Sequence, residues 1–204
     1  NHKLKNMNSV KIGHQEWSSE NLNVDHFNNG DEIQQVESAE DWLKCLENKT
    51  PAWCYYGYKT ENEKKYGKLY NWFAVNDSRG LAPEGFKIAT LSDWSELIDF
   101  LGGTSVAGGK LKSSTSWVSD GRAMGLLKVS DSTNESQFTA LPSGLVRQDG
   151  NFDAEGTTGT WWTSTPDETN AVKAARLYIE FCYKIVHQSF SNKGMGLAVR
   201  CVKV

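Results

Sequence analysis

Between Thr90 and Gly103 the sequence spells out one complete helix with both of its ends. Thr90 can cap it over Asp93, since a threonine hydroxyl accepts from the backbone N–H three residues on. Trp94, Leu97, Ile98 and Leu101 recur at i, i+3, i+4 and i+7, which gathers them on one stripe. Gly102-Gly103 then supplies the left-handed stop. A helix with one wide apolar stripe must lie on something, so it fixes a layered domain rather than an isolated rod.

The segments before it are compatible with that layering. Val10-Lys11-Ile12-Gly13 reads as a strand that Gln15-Glu16-Trp17 continues, and Glu20 to Val24 as a second extended piece. Asn28-Asn29-Gly30-Asp31 is turn chemistry. Ser38 caps a helix over Asp41, with Trp42, Leu43 and Leu46 as its stripe, before Pro51 stops it. The spacing of Tyr66, Leu69, Tyr70 and Phe73 predicts a helix over 67–76. Phe86-Lys87-Ile88 reads as a short strand after the Pro83-Glu84-Gly85 turn. Residues 104–158 read as loop-rich, pinned by Phe138, Leu141 and Leu145. Strands follow at 160–164, 174–183, 186–191 and 197–204. Residues 1–60 thus hold N-terminal strands and a short helix of a single 204-residue domain.

The net charge of -3 gives no basic footprint for nucleic acid. No apolar run approaches the roughly 18 residues of a membrane helix. No signal peptide is present and the chain starts at Asn1, which reads as a mature or trimmed form whose targeting segment has been removed. Cys45, Cys54, Cys182 and Cys201 allow three pairings and show no metal-like C-x-x-C spacing. Cys45–Cys54 closes a short loop; Cys182–Cys201 requires a bulge or a register change.

The whole order resembles the Fibrobacter succinogenes major paralogous domain, found in surface proteins of Bacteroidetes and Fibrobacter. The resemblance rests on Trp17, Asn21-Leu22, Asn29-Gly30-Asp31, Leu69-Tyr70-Asn71-Trp72, Ala82-Pro83-Glu84-Gly85-Phe86, Asp93-Trp94 and Leu101-Gly102-Gly103. It continues through Ala140-Leu141-Pro142, Trp161-Trp162, Ser164-Thr165 and Val199-Arg200-Cys201-Val202-Lys203, and covers nearly the whole chain. That family in turn resembles the formylglycine-generating-enzyme branch of the C-type lectin fold. The implied architecture is α+β: two main helices on small twisted antiparallel sheets, with long loops. The implied location is exported, on the cell surface, as an outer-membrane lipoprotein or in the periplasm. Many members have Cys where Ala82 stands, plausibly pairing with the terminal Cys; here that partner is missing.

Enzymatic chemistry finds little purchase. The lectin calcium signatures Glu-Pro-Asn and Trp-Asn-Asp do not occur, and Asp149, Asp153 and Glu155 read as solvated loop acids. Around Cys182 and Cys201, the candidates for formylglycine-type oxidation, spacing and flanks do not match. His2, His14, His26 and His187 have no ligand spacing, and nothing marks a nucleophile elbow. The expectation is a non-enzymatic module with no cofactor and no metal, taking a protein or carbohydrate ligand. A structural part in a surface assembly is the alternative, and an enzyme of the formylglycine-generating-like class comes third.

Alternation locates the candidate face. Leu177, Ile179 and Phe181 alternate with Arg176, Tyr178 and Glu180, so the first set faces the core and the second an open side. On the next strand Val186 and Phe190 should face inward, and His187, Ser189 and Ser191 outward. In variable ligand-binding proteins of this fold branch the corresponding strands carry the recognition surface. The resemblance therefore implies Arg176, Tyr178, Glu180, His187, Ser189 and Ser191 as the binding face. The alternative is a plain solvated sheet face. Trp117 is a further stacking candidate if exposed, although core packing is the favoured reading for it, for Trp161 and Trp162, and for Tyr55, Tyr56 and Tyr58.

Overall fold

The computed structural model describes residues 7–118 and 131–204. His2 lies outside them, as does 119–130 of the segment read as loop. In chain order the elements are β1 (Ser9–Ile12), β2 (Gln15–Ser18), β3 (Gln34–Gln35), α1 (Ala39–Asn48), β4 (Ala52–Cys54), α2 (Glu63–Tyr66), β5 (Leu69–Tyr70), α3 (Trp72–Val75), β6 (Phe86–Ile88), α4 (Leu91–Phe100) and α5 (Thr104–Leu111). Then come β7 (Ser143–Val146), β8 (Phe152–Glu155), β9 (Thr158–Pro166), β10 (Lys173–Glu180), β11 (His187–Asn192), β12 (Ala198–Val199) and β13 (Cys201–Lys203). The architecture is mixed α+β with several small sheets.

Two four-stranded sheets dominate. One has the order β1-β2-β13-β6, so the last strand of the chain sits between the first hairpin and the middle. The other has the order β11-β10-β9-β12. The chain crosses from one to the other at Arg200: β12 pairs in parallel with β9, and β13 antiparallel with β2 and β6.

The Thr90 helix forms as its sequence dictates. Thr90 Oγ1 accepts from the Asp93 N–H at 3.1 Å, and the Asp93 carboxylate accepts from the Thr90 N–H at 2.8 Å. The apolar stripe of α4 buries Trp94, Leu97 and Ile98. Trp94 meets Trp17 at 5.0 Å, Phe138 at 5.4 Å and Trp161 at 5.8 Å between ring centroids. Three distant segments and α4 therefore meet in one aromatic cluster, whose edge and tilted contacts contribute beyond burial alone.

Trp161 and Trp162 point to opposite faces of β9, yet both are fully buried. Trp161 belongs to the cluster around Trp17 and Trp94, and Trp162 to a second one around Tyr70, Trp72 and Leu197. The sheet is covered on both sides at that point, which is why neither indole is left over.

Three expectations fail. The helix over 67–76 is replaced by β5 and the four-residue α3. Leu69 and Tyr70 are pulled out to pair with β4, and Asn71 begins a new turn by accepting from the Ala74 N–H at 3.1 Å. The same Oδ1 also accepts from Ala52 N at 3.0 Å, a tertiary demand that the helical rhythm does not show. Second, residues 104–158 contain α5 and the β7-β8 hairpin. Glycines disguised α5: a Cβ on Gly108 would come within 2.5 Å of the Lys184 carbonyl, so the helix needs glycine there to approach that loop. Third, Phe190 is exposed, not buried. It shares a face with Ala175, but β11 is the outer strand of its sheet and the covering layer does not reach it.

Among the described residues no helix is long and apolar enough to cross a membrane.

Candidate functional site

Strand β10 pairs with β11 through Tyr178↔His187, Arg176↔Ser189 and Ala174↔Ser191. On its other side it pairs with β9 through Arg176↔Trp162, Tyr178↔Thr160 and Glu180↔Thr158. Directly opposed residues share a face, so Arg176, Tyr178, Glu180, His187 and Ser189 are brought together. All five are half-buried. Ser191 shares the face but is buried, because it lies toward the end where Trp162 and Ala174 close the second core.

The face carries a stack. The rings of Tyr178 and His187 lie 4.8 Å apart at 15°. The Arg176 guanidinium sits 4.9 Å from the Tyr178 ring, a favourable cation–π arrangement. Tyr183, exposed on the turn after β10, meets His187 edge-on at 6.4 Å. Sequence reasoning passed over Tyr183, since a turn residue lies outside the alternation.

Arg176 is poorly satisfied. Its hydrogen bond is a long one, 3.5 Å from Nη1 to Thr160 Oγ1. Its Nε is buried without a partner among the described residues. Burial lowers its pKa below the ordinary guanidinium value, against an opposing influence of Tyr178. His187 Nε2 is likewise buried without a hydrogen bond, 3.8 Å from a Glu180 carboxylate oxygen.

Beyond Glu180 the surface opens into a cavity of about 550 Å³ between the end of β10 and the β7-β8 hairpin. Tyr56, Phe152, Asp153 and Glu155 line it with Glu180. Tyr56 packs on Phe152 at 4.8 Å. Asp153 is paired with Arg147 and Glu155 with Lys65 at 2.9 Å. Asp153 and Glu155 are therefore engaged by cations, and no group of His, Cys, Asp or Glu among the described residues could hold a metal ion.

Trp117 does not join the face. It is only 7% exposed, and its Nε1 donates to the Ala140 carbonyl at 3.0 Å. An indole with its single donor satisfied inside the core has no surface to offer a ligand. Tyr55 is buried too, while Tyr56 and Tyr58 pack half-buried on Phe152.

Just past the end of β10 lies Lys112, fully buried. Its ammonium donates to the carbonyls of Phe181 at 2.9 Å and Tyr183 at 2.7 Å, the two residues flanking Cys182. Burial pulls its pKa down to about 8. Nothing in a Lys-Leu-Lys run marks one lysine as internal. No disulfide links the cysteines; Cys45, Cys54 and Cys201 are buried thiols.

No curated protein and no solved structure matches the chain. The model of one family, the Fibrobacter succinogenes major domain, matches residues 10–203. With nearly every described element inside that span, the chain belongs to the Fibrobacter succinogenes major domain family.

Proposed function

We propose that the chain is a non-enzymatic binding module with a C-type-lectin-like architecture. It recognises a protein or glycan ligand through the outer face of β9, β10 and β11 and the adjoining loops. The observation that carries this reading is the Arg176–Tyr178–His187 stack: three side chains held in register on a half-open face. A cation and two rings aligned on a partly open sheet face offer charge and aromatic surface to a ligand. An exported protein acting at the cell surface, as an outer-membrane lipoprotein or in the periplasm, would meet such ligands.

Glycan-array and pull-down screens with the wild-type protein and a Tyr178→Ala/His187→Ala double variant test it. Capture that the double variant loses supports the reading. Blank screens, or capture indifferent to the double change, count against it.

A structural part in a surface assembly is the second reading, favoured by Phe190 exposed on the outer strand β11. Light scattering that shows self-association, abolished by Phe190→Lys, would favour it instead.

A further inference from the structure

The charges on the candidate face are arranged unevenly along β10. At one end stands Arg176, a cation with no carboxylate partner among the described residues. Four residues on stands Glu180, at the mouth of a cavity that also holds Asp153 and Glu155. At about 3.3 Å per strand residue, the two ends lie roughly 13 Å apart. Between them runs the Tyr178–His187 stack.

A half-buried guanidinium without an anion is an unstable arrangement unless something supplies the anion. Arg176 is also held in place. Its guanidinium is restrained against the Tyr178 ring, 4.9 Å away, and its partner across the strands is Ser189, a hydroxyl able to donate to an oxyanion. A planar guanidinium so fixed suits a planar carboxylate, which it can grip through two N–H groups.

The remainder of the face decides what the carboxylate belongs to. A peptide rich in acids would bring further negative charges against Glu180, whereas Asp153 and Glu155 are already paired with Arg147 and Lys65. A sugar would bring hydroxyls, which donate to carboxylates and to the threonine and serine hydroxyls of β9 and β11. The Tyr178 ring is engaged with both Arg176 and His187, so it contributes by holding the cation rather than by stacking on a pyranose. We propose, resting on the binding-face reading above, that the ligand is an acidic glycan. One uronate carboxylate pairs with Arg176, and the following sugar units run along β10 to place their hydroxyls in the Glu180 cavity.

The test is a calorimetric titration with three probes: a tetrasaccharide with a single terminal uronate, the same tetrasaccharide with that carboxylate reduced to a neutral alcohol, and a glutamate-rich peptide. The wild-type chain should bind the uronate form at least tenfold more tightly than the reduced form. Arg176→Met, an apolar replacement of similar length, should lose at least that factor while leaving the reduced form unaffected. The comparison of uronate with reduced sugar needs no variant, so a misfolded Arg176→Met chain would leave it intact. Equal affinity for the two sugars, no binding of the uronate form, or tighter binding of the peptide overturns the proposal. If array ligands prove neutral but still depend on Tyr178 and His187, the acidic-glycan inference falls and the binding face stands. If they ignore Tyr178 and His187, both fall.

Discussion

Arg200 Nε donates to Asn21 Oδ1 at 2.9 Å, across a sequence separation of 179 residues. The same oxygen accepts from Trp161 Nε1 at 2.9 Å, and Asn21 Nδ2 donates to the Tyr66 carbonyl at 3.0 Å. Arg200 is fully buried and completes its fork on the carbonyls of Ser18 at 2.7 Å and Thr139 at 2.9 Å. Its flat face rests on Phe138, 4.2 Å away. The buried charge is thus dispersed over neutral acceptors rather than matched by one acid.

Such a network is vulnerable at its middle. Asn21→Ala should cost about 3–5 kcal/mol, because it leaves two donors, one of them charged, without acceptors in a dry interior. Arg200→Lys should cost a similar amount, since one ammonium cannot span three acceptors. The double change should be clearly less than additive in urea denaturation. Simple additivity would show that the two side chains act independently.

Lys112 makes stability depend on pH in an unusual direction. Its pKa is about 8 in the folded chain against an ordinary value of 10.5. Below about 8 both states hold the proton and the burial cost is fully present. Between 8 and 10.5 the unfolded state binds more protons, so stability rises with pH. Relative to Lys112→Met, the wild-type chain should gain about 1–3 kcal/mol between pH 7.5 and 10. Parallel stability curves for the two would refute this.

Trp117 separates packing from recognition. Trp117→Ala should destabilise the fold by about 3–5 kcal/mol, through lost burial and the stranded Ala140 carbonyl. Ligand capture by the remaining folded fraction should be unchanged. A loss of capture at undiminished stability would restore Trp117 to the binding face.

The cysteines should differ sharply in reactivity. Burial pushes the Cys201 thiol up to about 12, that of Cys54 well above its ordinary value, and that of Cys45 upward as well. Cys182 is partly exposed. Thiolates react and buried thiols do not, so alkylation of the native chain followed by mass mapping should mark Cys182 first. The other three should need denaturant, and equal labelling would contradict the buried positions.

What could be read from sequence follows how local each determinant is. The α4 helix carries its own caps and stripe, so its fourteen-letter text suffices. The face of Arg176, Tyr178 and Glu180 follows from period-two alternation alone. The 67–76 segment could not be read, because Asn71 answers to Ala52 and Thr50 as well as capping the short α3. Phe190 was misplaced because alternation says which side a residue faces and not whether that side is covered. Lys112 and Arg200 were opaque because their partners lie far off in sequence: backbone carbonyls for Lys112, and for Arg200 two backbone carbonyls and the Asn21 side chain.

The position of β13 between β2 and β6 bears on when the molecule can close. Trp17 on β2 finds its partner Val202 only once the tail is in hand. Until those residues have emerged from the ribosome, the first hairpin has an empty flank and Asn21 has no guanidinium to receive. Closure of the β1-β2-β13-β6 sheet therefore waits for Cys201–Lys203, however early the first hairpin has paired.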